Sequence, residues 1–270
     1  MLVFVIPLLP LRLQNEPRQV LWKLCKQSLL EQKYGNWRAI IVGVDPLREE
    51  LPHPAFINLE GDDLQKPLKL KIALEFINEN FGVKPKHLAR LDCDDIISPS
   101  LMKLYNDQHS DYDVMYDRFH ICIDILSLMM SYRQASWIPN TAIMKYEHAI
   151  ERFGEHEALF LEDHAKVWNT YFEGKLCVTT QRSEPIYYRI LSPFSITSGY
   201  FYGVSDVVKY RKYIDGYGPW INVSKEFYYY EQLHAIQKGI SWNKSYSRPP
   251  RVFNYMKHLF NILVGRKVYA

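Results

Sequence analysis

Leu91-Asp92-Cys93-Asp94-Asp95-Ile96-Ile97-Ser98-Pro99-Ser100-Leu101 puts three carboxylates within four positions, directly behind an apolar run, His87-Leu88-Ala89-Arg90-Leu91, that reads as a buried strand. Acids crowded at a strand end repel one another, and a divalent cation is the usual agent that offsets the repulsion. Hard cations such as Mg²⁺ or Mn²⁺ take oxygen ligands, typically one or two carboxylates plus the phosphates of a substrate. The competing reading is a solvated acidic turn, with Asp94 or Asp95 as the N-cap of a helix that holds Pro99 in its first turn.

The segments upstream decide what kind of sheet this strand joins. Leu2 to Pro7 is strand-like and closed by Pro10. Asn15 and Pro17 open a helix running to about Lys33, with Val20, Leu21, Leu24, Cys25, Ser28 and Leu29 on the 3.6-residue period. Gly35-Asn36 stops it. Trp37 to Pro46 is a second apolar strand that ends in an acid, Asp45, and Phe56 to Leu59 is a third. Pro67 then opens a helix with Leu70, Leu74, Ile77 and Phe81 on one stripe, and Gly82 ends it. Near-continuous apolar strands alternating with helices imply an α/β fold, with a Rossmann-type, mostly parallel central sheet covered by helices on both faces. Ligands of such sheets sit outside the C-terminal ends of the strands. Asp45 and the acids at 92–95 come from two different strands to that edge. Neither GxGxxG nor GxxxxGK[ST] is present, so the dinucleotide fingerprint and the P-loop are excluded.

Downstream, Asp113 to Tyr116 reads as a strand, and Ile121 to Met130 fits strand or helix equally. Residues 136–144 read as a loop entering a strand, and Glu147 to Phe153 as a short helix stopped by Gly154. In Leu159 to Gly174, an apolar stripe of Ala165, Trp168 and Phe172 with Gly174 as C-cap predicts a helix. Glu162 and Asp163 then fall in its first turn, where the helix dipole favours their charged forms by roughly 0.3–1 kcal/mol each. They either cap the helix or present one carboxylate to a cleft as a general base. Leu176 to Thr179 is another strand, leading into Glu184 to Thr197.

The 270 residues suffice for one sizeable core or one core with an appendage. Four scattered cysteines without a CxxC pair argue against a zinc site or a disulfide framework and for a reducing, cytoplasmic compartment. The apolar N-terminus lacks a basic n-region, and its prolines break the run early, so it reads as a strand rather than a signal peptide. The net charge of +3 hides an asymmetry: residues 200–270 hold 11 Lys+Arg against 4 Asp+Glu, the rest 22 against 26, and 11 of the 20 tyrosines lie in this tail. A basic, aromatic tail suits an anionic partner. Val252 to Val264 reads as an amphipathic helix with Phe253, Met256, Phe260 and Leu263 on one face. It is expected to pack on the body or on a second copy of the chain. Peripheral contact of 248–270 with the inner face of an anionic membrane is the alternative. Nothing in the sequence suggests a nucleic-acid partner.

Taken in order, these motifs resemble a family 2 glycosyltransferase of the GT-A fold. The resemblance rests on the first strand ending in Pro7 and on Ile40 to Asp45. It rests further on Asp92-Cys93-Asp94-Asp95…Pro99…Leu101 (a DxD motif), Glu162-Asp163…Trp168, and Tyr188-Arg189…Ser195-Ile196-Thr197, and it covers about residues 1–200. It implies a nucleotide-sugar-binding half at 1–105, an acceptor-binding and catalytic half at 106–199, and a C-terminal helical extension at 200–270. It also implies inverting transfer from a nucleotide-sugar, first of all a UDP-sugar, to a glycan or lipid-linked acceptor, assisted by a divalent cation, in polysaccharide or glycoconjugate assembly. By resemblance Asp45 lies near the nucleotide base, Asp94 and Asp95 hold ribose and metal with Asp92 beside them, and Asp163 is the base. Arg189, and Lys69 or Lys71, add positive charge near the phosphates, while Glu162 and His164, next to Asp163 in sequence, are candidates for supporting roles, His164 for completing the metal shell. Two positions depart from the pattern: the second strand ends Gly43-Val44-Asp45-Pro46 rather than in an acid pair, and Leu191 stands where the family often has a histidine. A nucleotidyltransferase and a non-catalytic binding relative are the alternatives. The first usually needs a glycine-rich basic loop after its first strand, and Pro7 to Arg12 has no glycine.

Overall fold

The computed structural model of the chain describes residues 1–9, 16–33, 35–43, 53–61, 64–107, 111–134, 136–155, 158–193, 210 and 214–239; Asn15, Asp45, Ser195, Thr197 and the segment 248–270 lie outside these. In chain order the elements are β1 (Leu2–Pro7), α1 (Glu16–Leu30), β2 (Trp37–Val42), β3 (Phe56–Leu59), α2 (Lys66–Asn80), β4 (His87–Arg90), β5 (Ile96–Ile97) and α3 (Leu101–Asp107). There follow β6 (Val114–Asp117), β7 (Phe119–Asp124), β8 (Met129–Gln134), β9 (Ile143–Lys145), α4 (Tyr146–Ile150), a 3₁₀ turn (Leu159–Leu161), a π turn (His164–Trp168), α5 (Asn169–Tyr171), β10 (Cys177–Thr180), β11 (Tyr187–Leu191), β12 (Trp220–Asn222) and α6 (Tyr230–Gly239).

The larger sheet has the order β10-β6-β9-β4-β1-β2-β3. Its β4-β1-β2-β3 half is parallel throughout, and β9 runs antiparallel to both β4 and β6. Every residue of β1 and β4 is buried, which is what strands covered on both faces require. Alternation along β1 divides its side chains between two cores. Leu2, Phe4 and Ile6 pack with Trp22, Cys25 and Leu29 of α1, while Val3 and Val5 pack with Leu70, Ala73, Leu74 and Ile77 of α2. The mixed α/β architecture with helices on both faces therefore agrees with the reading of the sequence.

A second sheet, β12-β8-β7-β11-β5, leans on this body. Here the structure corrects three expectations. The run Ile121 to Met130 is neither one strand nor a helix but most of a hairpin, β7 antiparallel to β8. The Asp124 carboxylate accepts the N–H groups of Leu126 (3.1 Å) and Ser127 (3.2 Å), and this side-chain turn breaks the apolar run. The acids at 92–95 do not begin a helix. They form a turn closed by Asp95 N–H on Asp92 O (3.1 Å), then feed β5, and α3 starts only at Leu101. The helix expected over 162–174 is a π turn followed by one short turn of α5. Asp163 is its N-cap and Glu162 precedes it, so neither lies in a first turn. The widened turn also rotates Ala165 out to solvent, while Trp168 and Phe172 stay buried.

The described part of the expected helical extension supplies α6 and also a strand, β12, which pairs antiparallel with β8. Tyr229, Leu233 and Ile236 pack with Leu21 and Leu24 of α1 and with the inner residues of the second sheet. Buried Tyr229 donates its hydroxyl to Ile97 O at 3.0 Å. All four cysteines are free thiols. Among the described residues no helix is long and apolar enough to cross a membrane.

Candidate active site

Parallel register sets the edge on which the site is built. Pro7 pairs with Val42 and Val5 with Arg90, so Leu8, Gly43 and Asp92 emerge side by side from β1, β2 and β4. Helices that return from this edge start at it. Lys66, the first residue of α2, places Nζ 2.5 Å from Asp92 Oδ1. Lys69, one turn later, is buried and donates to Leu8 O at 2.6 Å. Its ammonium lies against Gly43, whose φ is +108° and where a Cβ would come within 2.7 Å of Nζ. The backbone angle demands glycine there. Lys69 thus sits at the ends of β1 and β2, the place expected for the nucleotide, while Lys66, which the sequence reading passed over, meets the acids.

The three acids differ in environment. Asp92 keeps 38% of its side chain accessible. Burial would raise its carboxyl, but Lys66, with Arg189 and His164 behind it, holds it below the usual range. Asp94 is half-buried and pushed up to about 6, first by burial and then by repulsion from Asp92; Arg189 and Lys66 act in the opposite sense. Asp95 is buried and turned into the body, where Oδ1 accepts the Ile190 N–H at 3.0 Å. Burial and its two acidic neighbours raise it well above an ordinary carboxyl. This bond fastens the acidic turn to β11 and brings Arg189, the preceding residue, into electrostatic reach of all three carboxylates. Half-buried Arg18 of α1 adds a further cation, in electrostatic reach of Asp94.

Glu162 and Asp163 are delivered by Arg90, a residue that the sequence reading left inside an apolar run. Arg90 is buried at the end of β4. Its guanidinium donates to Phe160 O and, at 2.8 Å, to Glu162 O, and it stacks over the rings of Trp168 (4.5 Å) and Phe160 (5.1 Å). Burial lowers it to about 9, against the pull of Asp92 and Asp163. One side chain thereby ties the strand that carries the acids to the loop that carries Asp163. The available signal was the charge itself, since arginine in a buried strand needs partners. Asp163 is half exposed; one oxygen accepts the Ala165 N–H at 3.0 Å, and Lys166 Nζ lies 3.4 Å from the other. Glu162 is buried against Gly154, where a Cβ would stand 2.8 Å from its carboxyl carbon. His164 is half-buried with Nδ1 4.0 Å from Asp163 Oδ1; burial, then Arg90 and Lys66, lower it to about 4.

The structure thus brings together Asp92, Asp94, Asp95 and Arg189 and, through Arg90, Glu162, Asp163 and His164. Lys69 lies apart at the β1–β2 ends, and Asp45 is outside the described residues. Among the described residues, one group of three has metal-ligand spacing: Asp113, Glu147 and His148, with ligand atoms within 4.8 Å of one another. Lys145 already occupies that group, 3.1 Å from Asp113 and 3.9 Å from Glu147.

No protein-family model and no curated protein matches the sequence. Among solved structures, S. aureus TarS 1–349 superposes with a TM-score of 0.42 at 12% identity, covering 96% of this chain and 78% of that one. Rv0371C of Mycobacterium tuberculosis H37Rv, solved in complex with manganese, gives 0.40 at 12%, covering 66% and 86%. The 2-C-methyl-D-erythritol 4-phosphate cytidylyltransferase of Francisella tularensis gives 0.39 at 10%, covering 68% and 92%. Likeness at this level assigns no activity, which is therefore read from the site.

Proposed function

We propose that the chain is an inverting glycosyltransferase of the GT-A type. It would take a sugar from a nucleoside-diphosphate sugar, UDP-sugars being the first to test, to a hydroxyl of a glycan or lipid-linked acceptor in polysaccharide or glycoconjugate assembly. The observation that carries this reading is the pair Asp92 and Asp94 at the C-terminal end of β4, in electrostatic reach of Arg189, with Asp163 linked to the same strand end through Arg90.

The residues present fit a hard divalent cation. Asp94 is half-buried beside Asp92, and both offer hard carboxylate oxygens at the sheet edge, the donor type such a cation takes. Asp94, with Asp92 beside it, would hold the ion, which when bound neutralises charge on the departing nucleoside diphosphate. Asp95 was expected as a second ligand. With one oxygen committed to Ile190 N–H, it is better suited to holding β11 and Arg189 in place. Lys69 would stand at the nucleotide end with Asp45.

In this scheme the Asp163 carboxylate takes the proton of the acceptor hydroxyl as that oxygen attacks the anomeric carbon. The bond from that carbon to the diphosphate oxygen breaks, and its electron pair leaves with the diphosphate, beside Arg189 and Lys66. Attack opposite the leaving group inverts the anomeric centre. The Ala165 N–H on Asp163 keeps the carboxylate oriented, and Glu162 and His164 flank it.

Calorimetric titration of UDP, GDP and dTDP, each with and without Mn²⁺, on wild type, Asp94→Ala and Asp163→Asn tests the reading. One nucleotide should bind only with metal, Asp94→Ala should lose it, and Asp163→Asn should bind it normally yet transfer or hydrolyse the donor about 10²–10⁴-fold more slowly. If no nucleotide binds under any condition, the donor site does not exist and the reading fails.

A further inference from the structure

One face of the second sheet carries three nitrogen-bearing side chains that the proposed reaction does not fully use. His120 of β7 stands directly opposite Arg133 of β8, and Arg189 of β11 pairs with Cys122, two residues along β7. Strand alternation puts His120, Arg133 and Arg189 on the same face. Only 4% of His120 is accessible, and its Nε2 is buried without a hydrogen-bond partner. A buried polar nitrogen left unpaired is costly, and in native folds it usually marks a position that water, an ion or a ligand completes.

Arg133 is the matching half. Its guanidinium is stacked over Trp137 (5.5 Å) and Tyr217 (5.2 Å), and among the described residues it forms no ion pair. Stacking occupies the faces of the guanidinium and leaves its edge, where the N–H groups lie, free to bind. Trp137 also meets the edge of the His120 ring, at 5.9 Å, so one indole fixes both groups. Burial, then the charges of Arg189 and Arg133 and last His164, lower the His120 imidazole to about 3. A neutral imidazole N–H beside two guanidiniums suits an oxygen that carries negative charge, whereas a cation or a hydrocarbon would be repelled or left unmatched.

We propose that His120 and Arg133, with Arg189 at their side, form an oxyanion subsite that takes a phosphate-class group, the His120 Nε2–H and the Arg133 guanidinium edge both donating to it. The site stands on these residues whether or not the transferase reading holds. Its occupant is either the outer phosphate of the donor or an anionic group carried by the acceptor.

The test uses the full chain labelled with ¹⁵N-histidine at pH 7.5, titrated with inorganic phosphate and followed through the imidazole nitrogens. The resonance that disappears in His120→Asn should move saturably with phosphate, and Arg133→Gln should weaken phosphate binding by about tenfold or more. If His120→Asn does not fold, Arg133→Gln, at a half-buried position, decides alone. An unmoved His120 resonance, or phosphate binding in Arg133→Gln equal to wild type, overturns the proposal. Repeating the titration with saturating nucleoside diphosphate and Mn²⁺ separates the sources: competition assigns the subsite to the donor, and unchanged phosphate binding assigns it to the acceptor. Absence of phosphate binding to the wild type, with nucleotide binding intact, would remove the subsite and leave the transferase reading standing.

Discussion

Replacing Gly43 by alanine should destabilise the fold through two separable contributions. The first is conformational: φ is +108°, a region L-residues occupy only under strain of about 1–3 kcal/mol. The second is steric and electrostatic. The new Cβ would stand 2.7 Å from Lys69 Nζ and push the ammonium off Leu8 O, which it holds at 2.6 Å. A hydrogen bond from a charged group contributes about 1.5–3 kcal/mol. Gly43→Ala should therefore cost about 3–5 kcal/mol in the wild-type background. In Lys69→Ala the nearest atoms to the new Cβ are Leu8 O at 3.4 Å and Leu8 Cβ at 3.5 Å, ordinary contacts, so only the strain remains. Urea unfolding of the four proteins, followed by tryptophan fluorescence, measures the cycle, and a coupling of about 1.5–3 kcal/mol is expected. Equal costs of Gly43→Ala in both backgrounds, within about 0.5 kcal/mol, would refute the contact with Lys69. A cost below that in the wild-type background would refute the strain as well.

Asp113 predicts a pH dependence. Burial raises its carboxyl, but bonds from His148 (3.0 Å), the Leu176 N–H (2.8 Å) and Lys145 (3.1 Å) outweigh it and hold the group down to about 2. A depressed carboxyl stabilises the fold above its unfolded value near 4 and ceases to do so as pH falls through about 2. With solvent screening the contribution is about 1–2 kcal/mol, and urea midpoints measured from pH 5 to 2 should fall less steeply in Asp113→Asn than in wild type. Arg90→Gln leaves the carbonyls of Phe160 and Glu162 without their buried donor, so it should cost about 2–4 kcal/mol. Hydrogen exchange should then accelerate at the Ala165–Val167 amides while the β1–β2 ladder stays protected; equal acceleration in both would refute a local clamp.

Much of the large sheet was legible because its signals are local. β1, β3 and α2 begin and end close to where apolar runs, Pro67 and Gly82 place them. The runs at 121–130 and 162–174 were misread for a common reason. In each, a side-chain carboxylate, of Asp124 or Asp163, takes a backbone N–H two residues on and redirects the chain, and period counting cannot register such a bond.

By itself the sequence determined that apolar strands alternating with helices make a mostly parallel sheet, and that the acids at 92–95 leave its C-terminal edge. Strand direction and burial follow from periodicity along the chain, so neighbours in sequence suffice to read them. Only the tertiary structure decided which groups face one another there. Asp95 turns inward because its partner, Ile190 N–H, lies 95 positions away. Arg90 becomes a clamp because two carbonyls 70 and 72 positions on converge on it. Lys66 rather than Lys69 meets Asp92, since one helical turn separates them at the sheet edge. Charge and hydrogen-bonding capacity are properties of single residues, but their satisfaction depends on distance in space, which chain order leaves open until the sheets pack.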